Sequence, residues 1–195
     1  MNRGERIANR TKSAVKKALL ECIREKNYPD ITVGEITEIA DVGRSTFYRH
    51  YQSKAEVLVD IHRDMFVHLF SGLSSADLWI APEPPAELAA FFKKCQRLGL
   101  NPFSLSYKLG SDLDFLVTNI TRQLTITIEE RLRDSYDDAA SRIPISVLAQ
   151  SVSGLYNGLI MSWFTRFQSF DTDQFAAYIH RMTGALICEA FERKG

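Results

Sequence analysis

Proline and glycine are scarce in this sequence, with six prolines and ten glycines among 195 residues. Because these residues interrupt helices most strongly, most of the chain can be helical. Long apolar runs are also missing. The longest candidate, residues 155–164, is interrupted by Asn157 and Ser162 and is far shorter than the roughly 20 residues of a membrane span. The first 17 residues are polar and basic, unlike a signal peptide. We therefore expect a cytoplasmic protein without a membrane partner.

Cysteine is rare too, and the signatures of catalysis are missing. Cys22, Cys95 and Cys188 are far apart and odd in number, which indicates reduced core thiols. The sequence contains no G-x-S-x-G, C-x-x-C or H-E-x-x-H motif. His62-Arg63-Asp64 is like a kinase catalytic loop, but Leu69 stands where that loop requires asparagine. We predict that the protein is not an enzyme and has no metal or cofactor.

A net charge of zero hides an asymmetry between the two parts of the chain. Residues 1–54 contain eleven basic and seven acidic side chains, whereas the remainder contains thirteen and seventeen. The first part is therefore positive by four charges and the second negative by four. This charge distribution favours a polyanion as a partner that binds only residues 1–54, the basic part of the chain.

Apolar residues recur at helical spacing along almost the whole chain. The Ser/Pro-rich stretch 74–85 is predicted to be a loop. With no convincing strand, the fold class is all-α, which excludes the sheet-based enzyme folds. We predict an N-terminal domain of three helices, residues 1–54, and a helical C-terminal domain, residues 55–195. The predicted helices, about nine, span residues 11–26, 33–40, 44–51, 54–73, 85–98, 102–109, 112–133, 144–167 and 172–193.

Two short helices joined by a three-residue turn indicate a helix-turn-helix. Thr32 and Glu35 have the spacing of a capping box at the start of the first short helix. Ile36, Ile39 and Ala40 are predicted to face inward, and Val42 to fill the turn. Phe47 and Tyr51, four residues apart on the second helix, are predicted to be buried together.

Burial of Phe47 and Tyr51 leaves the polar side chains of the second helix outside. Arginine can form paired hydrogen bonds to guanine, and hydroxyl groups can bind phosphates or base edges. Lys54, at the start of the next helix, is predicted to bind a phosphate. The pattern thus predicts that this helix binds duplex DNA. The predicted outward-facing side chains are those of Arg44, Ser45, Thr46, Tyr48, Arg49 and His50.

Residues 31–58, ITVGEITEIADVGRSTFYRHYQSKAEVL, resemble the DNA-binding domain of the tetracycline-repressor (TetR) family. The resemblance covers about residues 8–60 and implies a dimer of nine-helix or ten-helix subunits whose C-terminal domain binds an inducer. Asp41 replaces the usual turn glycine and is expected to take the left-handed conformation. Gly43 replaces the usual serine cap, which removes one potential phosphate contact. The resemblance assigns DNA contact to Thr32, Arg44, Ser45, Thr46, Tyr48, Arg49, His50 and Lys54.

Residues 55–195, the acidic part of the chain, are rich in aromatic side chains. Apolar binding pockets are lined largely by such side chains. Tyr107, Asn119, Tyr156 and Asn157 are polar groups within otherwise apolar stretches, and we predict that they contact a small, largely apolar ligand. Release of the protein from a palindromic operator by this ligand would make it a repressor. An alternative is a C-terminal domain that binds a partner protein, in a regulator able to act as an activator.

The last two predicted helices indicate a homodimer. A stripe of small residues runs along the first of them, and mid-helix glycine invites close approach of two backbones. The second is apolar on more than one face, so it needs partners in its own subunit and outside it. The predicted interface consists of Ser151, Gly154, Gly158, Ser162, Ile179 and Ile187.

Overall fold

The computed structural model describes residues 3–97 and 109–191, and these residues contain helices but no strand. Nine α-helices occur within the two described ranges, so the all-α prediction is confirmed. Three 3-10 turns, Tyr28–Asp30, Gly110–Asp112 and Asp138–Ala140, and one π-helical turn, Trp163–Phe167, complete the described elements. The α-helices are α1 Arg3–Glu25, α2 Val33–Ile39, α3 Arg44–His50, α4 Lys54–Leu69, α5 Ala76–Trp79, α6 Ala86–Arg97, α7 Leu113–Ser135, α8 Ile145–Ser162 and α9 Thr172–Phe191.

The described residues divide into two compact units, and the divisions fall inside α4 and α7. The first unit contains residues 3–62 and 109–120, and the second contains residues 63–97 and 121–191. The first unit thus extends beyond the predicted boundary at residue 54 and includes a segment from later in the chain. Leu116, at the start of α7, is fully buried in the core of the first unit. The predicted helix 102–109 lies almost entirely outside the described residues.

Hydrogen bonds in the first unit hold the turn after α1 against the later segment. The Tyr28 hydroxyl donates to Asp112 Oδ2 at 2.9 Å. Gly110 takes a left-handed φ of 58°, and a Cβ there would lie 3.5 Å from the Pro29 ring. Burial raises the pKa of Tyr28, and the Asp112 carboxylate raises it further. The hydroxyl therefore remains a donor.

The second unit is built around aromatic side chains. Trp79 is fully buried, with its ring stacked on Phe70 at 6.3 Å between centroids. Its indole N–H donates to Ser135 Oγ at 3.2 Å. The prediction that residues 74–85 form a loop was wrong for residues 76–79. These residues form the one-turn helix α5, which ends at the buried Trp79. None of the helices in the described ranges is long and apolar enough to cross a membrane.

Candidate nucleic-acid interface

Helix α2 begins where the sequence predicts, at a complete capping box. The Thr32 hydroxyl accepts a hydrogen bond from the Glu35 N–H at 3.2 Å, and the Thr32 N–H donates to Glu35 Oε2 at 2.8 Å. Lys26 also pairs with Glu35. Its hydrogen bond and those from Thr32 lower the pKa of the Glu35 carboxyl to about 2. The Thr32 side chain is exposed, although its hydroxyl is already engaged in the cap.

The turn between α2 and α3 requires an unusual backbone conformation at Asp41. Its φ is 52°, in the left-handed region, as the sequence predicts. The Val42 N–H donates to the Thr37 carbonyl at 3.0 Å, and Val42 packs against the core of the first unit. The inward position predicted for Ile39 was wrong, since this side chain at the last turn of α2 is 46% exposed.

Helix α3 presents one buried side and one exposed side. Phe47 is fully buried, and Tyr51, the residue directly after α3, is 4% exposed. Their ring centroids are 5.9 Å apart, which confirms the predicted joint burial. Because residues four apart share a helical face, the side opposite Phe47 points away from the core.

The exposed side of α3 carries hydroxyl and guanidinium groups side by side. Arg44 and Tyr48 form one strip of residues four apart, and Ser45 and Arg49 form the next. All four are exposed, and Tyr48 is exposed by 56%. Thr46 and His50, half-buried, flank them as a third strip. We call these six residues, with Thr32, the α3 face.

The Arg44 guanidinium lies across the first turn of α2. A Cβ on Gly34 would be 3.0 Å from Arg44 Nη2, so the absent side chain leaves room for the arginine. Arg44 nevertheless remains exposed. Burial lowers the pKa of His50, and the neighbouring Lys12 and Arg49 charges lower it further.

A buried polar network fixes the end of α3. The Tyr51 hydroxyl donates to Asp60 Oδ2 at 2.6 Å, and Lys16 Nζ lies 3.5 Å from the same oxygen. Asp60 is only 8% exposed. The network joins α1 and α4 to the residue that ends α3, and sequence periodicity gave no signal for it.

Lys54 has a structural role that the sequence did not reveal. Its ammonium group donates to the carbonyls of Tyr28, Pro29 and Ile31 at 2.7, 3.0 and 2.8 Å. It also lies 4.5 Å from the centroid of the Tyr28 ring. Burial lowers its pKa. An ammonium group has three donors, so none is left for the phosphate contact predicted for Lys54.

Gly43, the N-cap of α3, provides a test of local helix chemistry. Its φ of −67° and ψ of 148° suit any residue, and its side chain would meet nothing closer than 3.8 Å. We expect Gly43→Ser to raise the free energy of unfolding by a few tenths of a kcal/mol, because a serine hydroxyl can cap α3. Urea unfolding measures the change, with Gly43→Ala as the control that adds a side chain without a cap. Equal stability of the two variants would contradict the assignment of residue 43 as an N-cap at which a hydroxyl stabilises α3.

Residues 17–61 match the sequence model of the bacterial regulatory proteins of the tetR family. Over 55 residues the chain is 42% identical to YxbF, an uncharacterized HTH-type transcriptional regulator of Bacillus subtilis (strain 168). That segment makes up 28% of this chain and 14% of YxbF. The structure of a TetR transcriptional regulator from Streptococcus agalactiae 2603V matches 92% of this chain and 97% of its own, with 27% identity and a TM-score of 0.50. Residues 17–61 therefore form a DNA-binding domain of the TetR type.

Other solved structures share the fold of this chain. Thermus thermophilus FadR, a repressor in complex with lauroyl-CoA, has a TM-score of 0.56 and 19% identity, covering 94% of this chain and 97% of its own. The dihydroxyacetone kinase operon activator DhaS has a TM-score of 0.53 and 16% identity, covering 93% and 98%. Members of the family are transcriptional regulators and not enzymes.

The polar residues predicted to bind a ligand fall in both units and, for one of them, outside the described residues. Asn119 belongs to the first unit, where its Nδ2 donates to the Phe115 carbonyl at 2.8 Å. Tyr156 is buried in the second unit beside Phe70, whereas Asn157 is exposed. Tyr107 lies outside the described residues.

The predicted interface residues divide into two groups in this structure. Ser151, Gly154 and Gly158 are exposed on α8, and within the described ranges a Cβ on either glycine would meet no neighbouring atom within 4 Å. Ser162 is half-buried. Ile179 and Ile187 on α9 were misplaced, because they are 0% and 1% exposed within the subunit's own core. The exposed apolar side chains of α9 are Tyr178, Met182 and Leu186.

Proposed function

We propose that this chain is a homodimeric regulator that binds an inverted repeat in duplex DNA through α3 and is released by a small, largely apolar molecule. The observation that carries the proposal is the two-sided character of α3. Phe47 is fully buried on one side, while Arg44, Tyr48 and Arg49 are exposed on the other. A recognition helix of this kind enters the major groove with its N-terminal residues at base edges.

The donors of the α3 face fit the chemistry of duplex DNA. Guanidinium groups such as that of Arg44 bind guanine O6 and N7 in pairs, and they bind phosphates equally well. The hydroxyls of Ser45 and Thr46 and the phenol of Tyr48 provide further contacts. The surplus of basic side chains in the first 54 residues attracts DNA phosphates electrostatically, whatever the base sequence of the duplex.

Arg44 is proposed to read a base. We expect Arg44→Ala to weaken binding to the preferred duplex by about 1–3 kcal/mol and to relax the preference at one position of each half-site. Competition binding against duplexes substituted at single positions measures both effects. Arg24→Ala, an exposed substitution on α1, is the control for loss of one positive charge. An equal loss on every duplex would contradict base readout by Arg44.

Lys54 is proposed to support the interface without touching DNA. We expect Lys54→Met to lower the free energy of unfolding by about 2 kcal/mol, because two part-buried carbonyls and one exposed carbonyl lose their donor. The salt dependence of DNA binding should keep its slope, since no phosphate contact is lost. Urea unfolding and DNA titration at several salt concentrations test both statements. A slope reduced by about one unit, with stability unchanged, would restore the phosphate role.

The exposed strips of α8 and α9 are proposed to form the dimer interface. On α8 the strip contains Val147, Ser151, Gly154, Gly158 and Met161, which recur at three-residue and four-residue intervals. Mid-helix glycine costs about 1 kcal/mol relative to alanine. Among the described residues no neighbour requires glycine at 154 or 158, whereas close approach by a second copy would provide such a reason. On α9, the proposed interface contains the exposed Met182 and Leu186 instead of the buried Ile179 and Ile187.

Regulation by a ligand requires a difference in its affinity for two conformations of the dimer. The units meet along the chain within α4, which begins at Lys54 and ends at Leu69. A ligand bound in the second unit would change DNA binding by α3 if the ligand binds more tightly to a dimer with one spacing of the two recognition helices than to a dimer with another. Coupling of about 1–3 kcal/mol is typical of such regulation. Its test is release of the duplex on addition of a compound that raises the melting temperature of the free protein.

A further inference from the structure

A surface groove of about 460 Å³ runs between α2 and α3 in the first unit. Gly34, in the first turn of α2, lines this groove together with Arg44, the first residue of α3. Gly34 is half-buried, whereas Arg44 is exposed. The groove therefore borders the α3 face at the residue that is proposed to read a base.

The Arg44 guanidinium occupies the space that a side chain at residue 34 would fill. A Cβ on Gly34 would lie 3.0 Å from Arg44 Nη2 and 3.9 Å from Arg44 Cζ. It would also lie 3.6 Å from the Thr32 hydroxyl oxygen. The shortest of these distances is below the roughly 3.5–4.0 Å of an ordinary contact between nonbonded heavy atoms. A side chain at residue 34 and the guanidinium in its present position therefore exclude each other.

The backbone of Gly34 is held in place from both sides. The Thr37 hydroxyl donates to the Gly34 carbonyl at 2.8 Å, and Thr37 is only 5% exposed. Ile36, in the same turn of α2, is fully buried. The capping box between Thr32 and Glu35 encloses Gly34 on the other side. Because this backbone is fixed, the flexible arginine is the group that a side chain at residue 34 would move.

The Arg44 guanidinium lies in the groove without an ionic partner among the described residues. Glu38 and Asp41 also line the groove, but neither carboxylate forms an ion pair with Arg44 in the described ranges. The position of the guanidinium therefore depends on the space beside Gly34 and not on attraction to a carboxylate. A change of volume at residue 34 is the change to which it should respond.

The position of a guanidinium determines which base it can bind. Arginine forms its paired hydrogen bonds to guanine only when two of its donors face O6 and N7 of the same base. Successive nucleotides of one strand lie about 3.4 Å apart along the duplex axis. A side chain of several carbon atoms at residue 34 would displace the guanidinium by a comparable distance. The paired hydrogen bonds would then be lost or would form with a neighbouring base.

We propose that Gly34 is a positioning residue for base recognition. The absence of a side chain at this position places the Arg44 guanidinium beside the first turn of α2, and this placement selects the base pair that Arg44 reads in each half-site. The inference rests on the proposed binding of duplex DNA through α3. It adds a specificity-determining residue that makes no side-chain contact with DNA of its own.

The variants Gly34→Ala and Gly34→Leu test the proposal in the full-length protein. The test position is the half-site position at which Arg44→Ala relaxes the base preference, and competition binding compares duplexes that differ only there. We expect the wild type to prefer one base at this position by about tenfold or more, as one arginine–guanine pair provides. Gly34→Leu should reduce the preference to about twofold or less, and Gly34→Ala, which adds one carbon atom, should give an intermediate value.

Folding of the variants is checked by thermal unfolding. Alanine and leucine both favour a helix over glycine, so neither variant should melt below the wild type. A reduced base preference in a protein of unchanged or higher melting temperature then results from the position of Arg44. A purely structural role of Gly34 would instead lower the affinity equally for all duplexes, and that result would overturn the proposal.

The double variant Gly34→Leu with Arg44→Ala is the matched control. If Gly34 acts through Arg44, the double variant should show the same base preferences as Arg44→Ala alone, within about twofold. An effect of Gly34→Leu that persists without Arg44, or a full preference in the Gly34→Leu protein, would overturn the inference and leave base reading by Arg44 standing. If Arg44→Ala relaxes the preference at no position, base reading by Arg44 and the role of Gly34 are both refuted.

Discussion

Gly158→Leu is expected to turn the dimer into monomers and to weaken binding to an inverted repeat by about 100-fold or more, because the two half-sites then bind independently. The subunit itself should gain stability, since a Cβ at this position meets nothing within 4 Å among the described residues and leucine favours a helix over glycine by about 1 kcal/mol. Sedimentation at micromolar concentration and titration of the duplex measure the two effects.

The control for this substitution is Ser146→Leu on the same helix. Ser146 is exposed but lies about 100° around the helix axis from Val147, at the side of the strip. It should leave both the dimer and the DNA affinity unchanged. A Gly158→Leu protein that sediments as a dimer would show that α8 is not the interface, whatever its affinity for DNA.

Asp60→Ala is expected to lower the free energy of unfolding by about 3 kcal/mol, because it leaves the Tyr51 hydroxyl and the Lys16 ammonium group without their buried acceptor. Asp60 is 8% exposed and accepts at 2.6 Å from Tyr51. For a chain of this length, the melting temperature should fall by roughly 10 °C. Thermal and urea unfolding measure the change.

Asp64→Ala, one turn further along α4, is the matched control. Asp64 is exposed and lies 3.5 Å from Arg63, a surface pair of small value. Its loss should change stability by no more than about 0.5 kcal/mol. Equal effects of the two substitutions would show that the Tyr51–Asp60–Lys16 network does not hold the end of α3.

Local signals predicted the helix-turn-helix well. Thr32 and Glu35 form their capping box because its spacing is fixed within one helical turn. Asp41 takes a positive φ because a three-residue turn demands it and few other residues tolerate it. Phe47 and Tyr51 are buried because they share one face of α3. Each of these features depends on residues only a few positions apart.

Features that depend on distant residues escaped prediction. Nothing near Lys54 in the sequence indicates that the carbonyls of residues 28–31 converge on its ammonium group. On α9, apolar residues cover more than one face, so periodicity could not decide between Ile187 inside and Leu186 outside.

Selection of bound duplexes from a random DNA library by the full-length protein is the most direct test of DNA recognition by α3. We expect enrichment of an inverted repeat whose half-site centres lie about 34–36 Å apart or a multiple of that distance, as two recognition helices related by a two-fold axis require. Selection with the Arg44→Ala protein should lose the preference at one position of each half-site. Enrichment of no inverted repeat, or the same enriched sequence with and without Arg44, would contradict recognition of DNA by the α3 face.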